Sequence, residues 1–216
     1  ILQIASSTVG SSTGTYVLGS ALDVNGNLHI RSGTLDVSAS NYAINLAGNF
    51  WNQGTFTRRA GTFILDGSGN QTVSGSTVFY NFTKTVASAS KLFFDYSGRQ
   101  SFSGALTLQG ANGNLLSLRS TRGNNAARII FDGDAGITQT IDHVNVQDSN
   151  ATGGATLVCL IGSEGCVDGL RNTNWAFNSG SLAGRVFSDE GVTALGSVTV
   201  ALDLNGTRND TTVALP

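Results

Sequence analysis

Short apolar runs recur along this chain, spaced too closely for helices. Among them are Leu22-Asp23-Val24, Leu28-His29-Ile30, Leu35-Asp36-Val37, Ile44-Asn45-Leu46, Phe50-Trp51, Phe63-Ile64-Leu65, Leu106-Thr107-Leu108 and Val144-Asn145-Val146. Each falls short of an ordinary helix. Many alternate apolar and polar residues with the period of two that a half-buried strand requires. Between the runs stand Asn25-Gly26-Asn27, Ser32-Gly33, Ala47-Gly48-Asn49, Gln53-Gly54, Gly67-Ser68-Gly69 and Ser74-Gly75. These read as tight turns, because Gly and Asn supply the positive φ that sharp corners need.

The runs align with one another at an offset of roughly 20 to 28 residues, a period that points to solenoids or propellers. Leu22-Asp23-Val24 matches Ile44-Asn45-Leu46, and Leu28-His29-Ile30 matches Phe50-Trp51-Asn52. Gly33-Thr34-Leu35 matches Gly54-Thr55-Phe56, followed by Gly61-Thr62-Phe63. Three short strands and three corners per offset describe one coil of a right-handed parallel β-helix. A propeller blade needs about 40 residues and four strands. A sandwich needs hairpins and strands of about five or six residues. Both fit less well, and the expected class is all-β.

The stack explains the composition. Each side chain lies one strand spacing from its counterpart on the next coil, so a column of like charges would repel. Only 12% of the 216 residues are charged, the net charge is −2 and Gly numbers 28. Ser, Thr and Asn suit the outside, aliphatic residues and Phe the inside, and Asn at corners can build hydrogen-bond ladders. An apolar share of 40% separates the chain from disordered sequences. Arg58 and Arg59 are adjacent, but no basic stripe surrounds them, so nucleic acid is not an expected partner. No apolar stretch approaches the roughly 20 residues of a membrane-spanning helix. The chain opens at Ile1 without a signal sequence and reads as a mature or excised segment. The local pair Cys159 and Cys166 is a candidate disulfide and suits an extracellular or cell-surface setting.

The expected solenoid, with its end caps, occupies residues 1–177. Ile1 to Ser20 is less periodic and is the candidate N-terminal cap; Trp175 and Phe177 are candidates to cover the last coil. Residues 178–183 read as a linker. Over 184–216 the pattern changes: Gly184–Gly191 and Ser197–Gly206 look like sandwich strands, and Thr211–Leu215 like the start of a third. About 33 residues cannot normally hold a core alone. The expectation is a partial β-sandwich module, either truncated or completed by strands from elsewhere.

The segments Gly48-Asn49-Phe50-Trp51-Asn52-Gln53-Gly54-Thr55-Phe56, Gln71-Thr72-Val73-Ser74-Gly75 and Phe79-Tyr80-Asn81-Phe82 resemble secreted bacterial right-handed β-helix repeat proteins of the adhesin and autotransporter-passenger kind. The ending Cys166-Val167-Asp168-Gly169 with Asn172-Thr173-Asn174-Trp175 is similar to the coil-closing segment of such proteins. Residues 184–216 resemble the opening of an immunoglobulin-like module of the carboxypeptidase-regulatory or collagen-adhesin B type. The resemblance implies a rigid structural or adhesive rod on a cell surface or in a matrix, and the incomplete module motivates a variant in which stacked ends or donated strands join copies into fibres.

Chemistry has fewer candidates. Some β-helix families are polysaccharide lyases or glycosidases, which need clustered carboxylates with a basic partner. Asp132, Asp134, Asp142 and Asp148 form the densest acidic group, with Arg128 and His143 nearby, but paired-aspartate and Gly-His-Gly signatures are missing. The chain is therefore read as no enzyme. Asp132 and Asp134 are weak calcium candidates at a Gly-containing corner; no cofactor is otherwise expected. Trp51 and Tyr96 are candidates to face a glycan, with a glycan or host-surface receptor as partner. Thr55-Phe56-Thr57 and Thr138-Gln139-Thr140 look like ice-binding units without a constant offset.

Overall fold

The computed structural model describes residues 1–5, 14–131, 138–160, 165–178, 197–204 and 207–214. Contacts divide the chain into two units, Ile1–Ser179 and Gly180–Pro216.

The first unit is a parallel β-solenoid, and no helix occurs among its described residues. The chain visits three faces in turn. The first face is an eight-stranded sheet of Leu2–Ile4, Leu28–Ile30, Phe50–Asn52, Gln71–Ser74, Ser90–Phe94, Leu116–Ser120, Val144–Val146 and Val167–Asp168. The third is also eight-stranded, built from Leu22–Val24, Ile44–Leu46, Thr62–Leu65, Asn81–Thr85, Leu106–Gln109, Gln139–Asp142, Leu157–Leu160 and Trp175–Asn178. The second face is divided. Thr15–Val17, Thr34–Asp36 and Thr55–Thr57 form one sheet, and Thr77–Phe79, Arg99–Phe102, Ala127–Phe131 and Ser149–Asn150 another. Across that break the Arg58 guanidinium lies 5.5 Å from the centre of the Tyr80 ring.

The registers anticipated between Leu22-Asp23-Val24 and Ile44-Asn45-Leu46, Leu28-His29-Ile30 and Phe50-Trp51-Asn52, and Thr34-Leu35 and Thr55-Phe56 are those of the structure. Gly61-Thr62-Phe63 departs from its series. Thr62–Leu65 pairs with Ile44–Leu46 on the third face, because the Arg58–Gly61 turn carries the chain around another corner.

Alternation sends every second side chain inward, where it meets its counterpart one coil away. Leu28, Phe50, Val73 and Phe94 form one such column. Phe50, Phe63, Phe79, Phe82, Phe94 and Phe102 form a continuous aromatic interior, with neighbouring ring centres 4.8 to 6.3 Å apart. Each is at most 1% exposed, so each removes about 2 to 3 kcal/mol worth of apolar surface from water. At the outer corners asparagine carboxamides continue the backbone ladder: Asn27 Oδ1 accepts from the Asn49 amide and Asn49 Oδ1 from the Thr72 amide, both at 2.8 Å. Gly75 turns between the first and second faces at φ 82°. A Cβ there would stand 1.9 Å from the carbonyl oxygen of Asn52, so the corner admits only glycine.

The N-terminal segment, the candidate cap, contributes two strands among its described residues. Leu2–Ile4 and Thr15–Val17 are strands of the first coil, in register with Leu28–Ile30 and Thr34–Asp36. The side chains of these two strands are mostly exposed because, among the described residues, each pairs on one side only, which weakened the period in the sequence. At the far end, Trp175–Asn178 pairs with Leu157–Leu160 as a further strand.

In the second unit, Ser197–Leu204 and Thr207–Ala214 form an antiparallel hairpin. The strand expected to start at Thr211 starts at Thr207, because its pairing with Ser197–Leu204 extends from Ala214 back to Thr207. The run Gly184–Gly191 and most of the linker at 178–183 lie outside the described residues.

Candidate functional site

Asp142 ends a third-face strand, and its Oδ2 lies 2.9 Å from Nδ1 of adjacent His143. Asp148 stands beyond the other end of the first-face strand Val144–Val146, and Arg128 points from the second face. The acidic residues close in sequence are thus parted by a strand and two corners. Asp132 and Asp134 lie outside the described residues, and no three His, Cys, Asp or Glu side chains gather as a metal site among those described.

Asp148 has a structural occupation. Arg171 grips it from the next coil, Nε to Oδ1 at 2.5 Å and Nη2 to Oδ2 at 3.1 Å. Arg59 grips Asp36 in the same way, at 2.6 and 2.7 Å. In both pairs the hydrogen bonds from the guanidinium hold the carboxyl below its ordinary pKa. Both pairs span 23 residues, one coil. That coincidence with the repeat offset was the overlooked sequence signal.

Lys84 was also overlooked. It is fully buried, between Leu65 and Leu108 in a third-face column, and donates from Nζ to Gly67 O and Gln71 Oε1, both at 2.5 Å. Burial lowers its pKa to about 8, against a smaller opposing pull from Asp66. Its signal was alternation: Lys84 follows Phe82 by two residues and must share its inward side.

Cys159 and Cys166 form a disulfide with Cα atoms 5.8 Å apart, both half-cystines inside the final coils. Trp175 and Phe177 stack with ring centres 5.9 Å apart and pack against the core. Trp175 Nε1 donates to Ser149 Oγ at 3.0 Å.

The exposed aromatic pair does not form one platform. Tyr96 sits at the corner after Ser90–Phe94, its ring covered by the Arg122 guanidinium 5.3 Å away. Trp51 stands on the first face, 48% exposed. Its ring stacks on His29 with centres 4.4 Å apart and planes 6° from parallel. His29 is fixed by its Nε2 contact to Gln53 Oε1 at 2.9 Å. The axial order of this outward column is Gln3, His29, Trp51, Ser74. One ring face of Trp51 therefore meets His29, and the other looks onto a serine. Thr55-Phe56-Thr57 and Thr138-Gln139-Thr140 lie on different faces and share no plane.

The fold defines the class of protein as a parallel β-solenoid. No protein-family model, curated protein or solved structure matches the chain.

Proposed function

We infer that the chain is an extracellular structural or adhesive module, a rigid β-solenoid rod of a surface or matrix protein. One observation carries the reading: eight-stranded parallel faces whose outer columns are almost uncharged and whose interior is mostly apolar, with Lys84 and Gln71 tied together within it. Such a stack transmits load along its axis through every backbone ladder at once. The Cys159–Cys166 bridge supports placement in an oxidising space. Self-association into fibres is part of the proposal. Among the described residues Leu2–Ile4 pairs on one side only, and Ile1, Leu2, Tyr16 and Val17 are exposed. A second copy adding strands there would bury them. The antiparallel strands of the second unit are read as the opening of an immunoglobulin-like stalk module.

Electron microscopy and sedimentation of the purified chain test this. Rods and end-to-end oligomers that lengthen with concentration support it; monodisperse monomers at high concentration remove the fibre. The module is read as non-catalytic, supported by the separation of Asp142 from Asp148. Turnover of any member of a polysaccharide panel, lost in Asp142→Ala, would overturn that part. A second reading, glycan recognition, is favoured by the exposed Trp51 on its His29 support.

A further inference from the structure

The outward column Gln3, His29, Trp51, Ser74 is a ladder of ring-sized side chains that stops abruptly. Successive coils stand about 4.8 Å apart. His29 shows what that height accommodates, since its ring lies 4.4 Å from Trp51 and nearly parallel to it. On the opposite side of Trp51 the same height holds only the hydroxymethyl group of Ser74. Beyond it comes Asp95, the residue after Phe94 in the next coil, whose backbone amide donates to Val73 O at 3.0 Å. The column thus has a slot one ring thick, floored by Ser74 and walled by an indole.

The polar groups around the slot are available. Among the described residues, neither Trp51 Nε1 nor Ser74 Oγ has a hydrogen-bond partner. Asp95 Oδ1 accepts from the Ser97 amide and hydroxyl, at 3.1 and 2.9 Å. Its Oδ2 has only a long contact, 3.4 Å to the Gly75 amide. The slot therefore offers a flat apolar face, an N–H donor, a hydroxyl and a carboxylate acceptor. A pyranose ring is the complement: its C–H face covers the indole while its rim hydroxyls both donate and accept. The carboxylate beside the slot repels an acidic sugar and favours a neutral one.

We propose that the slot over Ser74 binds one ring of a neutral glycan, stacked on Trp51 opposite His29, so that the ligand continues the side-chain ladder of the first face. This rests on the glycan-recognition reading and gives it a position and a sugar class. His29 and Gln53 act as positioning residues, holding the indole at the angle of the stack; Trp51, Ser74 and Asp95 touch the sugar.

The test uses the full chain and four probes: cellohexaose, maltohexaose, laminarihexaose and hexagalacturonate. In a Trp175→Phe background Trp51 is the sole tryptophan, because the chain has 2. The expected result is saturable change of its emission with a neutral hexaose and none with the acidic one. Ser74→Phe fills the slot with a ring that completes the ladder; it is expected to weaken binding at least about tenfold while circular dichroism and the unfolding midpoint hold. Trp51→Ala, followed by affinity electrophoresis, is expected to do the same. Should Ser74→Phe fail to fold, Ser74→Gln occupies the slot without a ring and replaces it. Neutral-glycan binding that survives both the slot-filling variant and Trp51→Ala overturns the slot but leaves glycan recognition standing. Binding of none of the four overturns both. Binding of hexagalacturonate alone overturns the slot.

Discussion

Lys84 Nζ lies 2.5 Å from Gln71 Oε1, inside a column otherwise made of Leu46, Leu65, Leu108 and Ile141. Gln71 in turn donates from Nε2 to Leu46 O and Gly48 O, at 2.9 and 2.7 Å. The lysine is thus a buried cross-tie between a third-face strand and the corner leading to the first face. A buried charge is tolerated only with such partners.

This burial sets a pH dependence. The folded-state pKa of Lys84 is about 8, below its ordinary 10.5. Between these values the unfolded chain holds a proton that the folded chain has released. Stability therefore rises with pH through that window, by on the order of 2 to 3 kcal/mol for this group. Denaturant unfolding from pH 7.5 to 10.5 checks it: the wild type gains stability, and Lys84→Met loses that slope.

The ion pairs act on the acid side. Asp36 and Asp148 have folded-state pKa values held below 3.8 by Arg59 and Arg171. Their stabilisation is complete above the unfolded value and is lost as pH falls through the folded one. Asp36→Asn and Asp148→Asn flatten the decline in stability below pH about 4, measured by thermal unfolding across pH 2 to 6, with both variants less stable than wild type at pH 7.

Gly75→Ala puts a Cβ against the Asn52 carbonyl at a corner where φ is 82°. Clash and left-handed strain together cost about 2 kcal/mol or more. Chemical denaturation shows the lowered midpoint, while alanine at Gly69, where the space is open, changes it little.

Phe79 touches Phe50, Phe56, Phe63, Phe82 and Phe102. Phe79→Ala leaves a cavity bounded by rings held by their own strands, so collapse is limited and the loss is about 3 to 5 kcal/mol. Equilibrium unfolding measures it, and Phe79→Leu recovers part.

Reducing Cys159–Cys166, seven residues apart, releases a short loop. The chain-entropy estimate is about 2 to 3 kcal/mol. Hydrogen exchange localises the effect: amides of Leu157–Leu160 and Trp175–Asn178 exchange faster, while those of Phe50–Asn52 do not change.

Period, class and the inward side of most strands were legible from residue order, because alternation and turn chemistry are local. Leu28-His29-Ile30 declares its buried and exposed positions without reference to any partner. Applied to Lys84, the same rule puts the side chain inward, against the habit of keeping lysine outside. The coil holding Thr15–Val17 was harder to read, since among the described residues that strand pairs only with Thr34–Asp36 and its side chains stay exposed.

The sequence by itself determined a stack of short parallel strands with apolar interior and uncharged exterior, since those follow from a two-residue alternation and glycine corners. Only the tertiary structure decided which residues meet along the axis. Corner lengths vary, so the axial partner of Asp142 on the next coil is Leu160, whereas that of Leu108 is the far more distant Ile141. The pairing of Asp36 with Arg59, the stacking of His29 on Trp51 and the placing of Ser74 beside Trp51 all depend on how many residues each coil spends on its turns. That number is settled by packing of whole coils, not by any local preference.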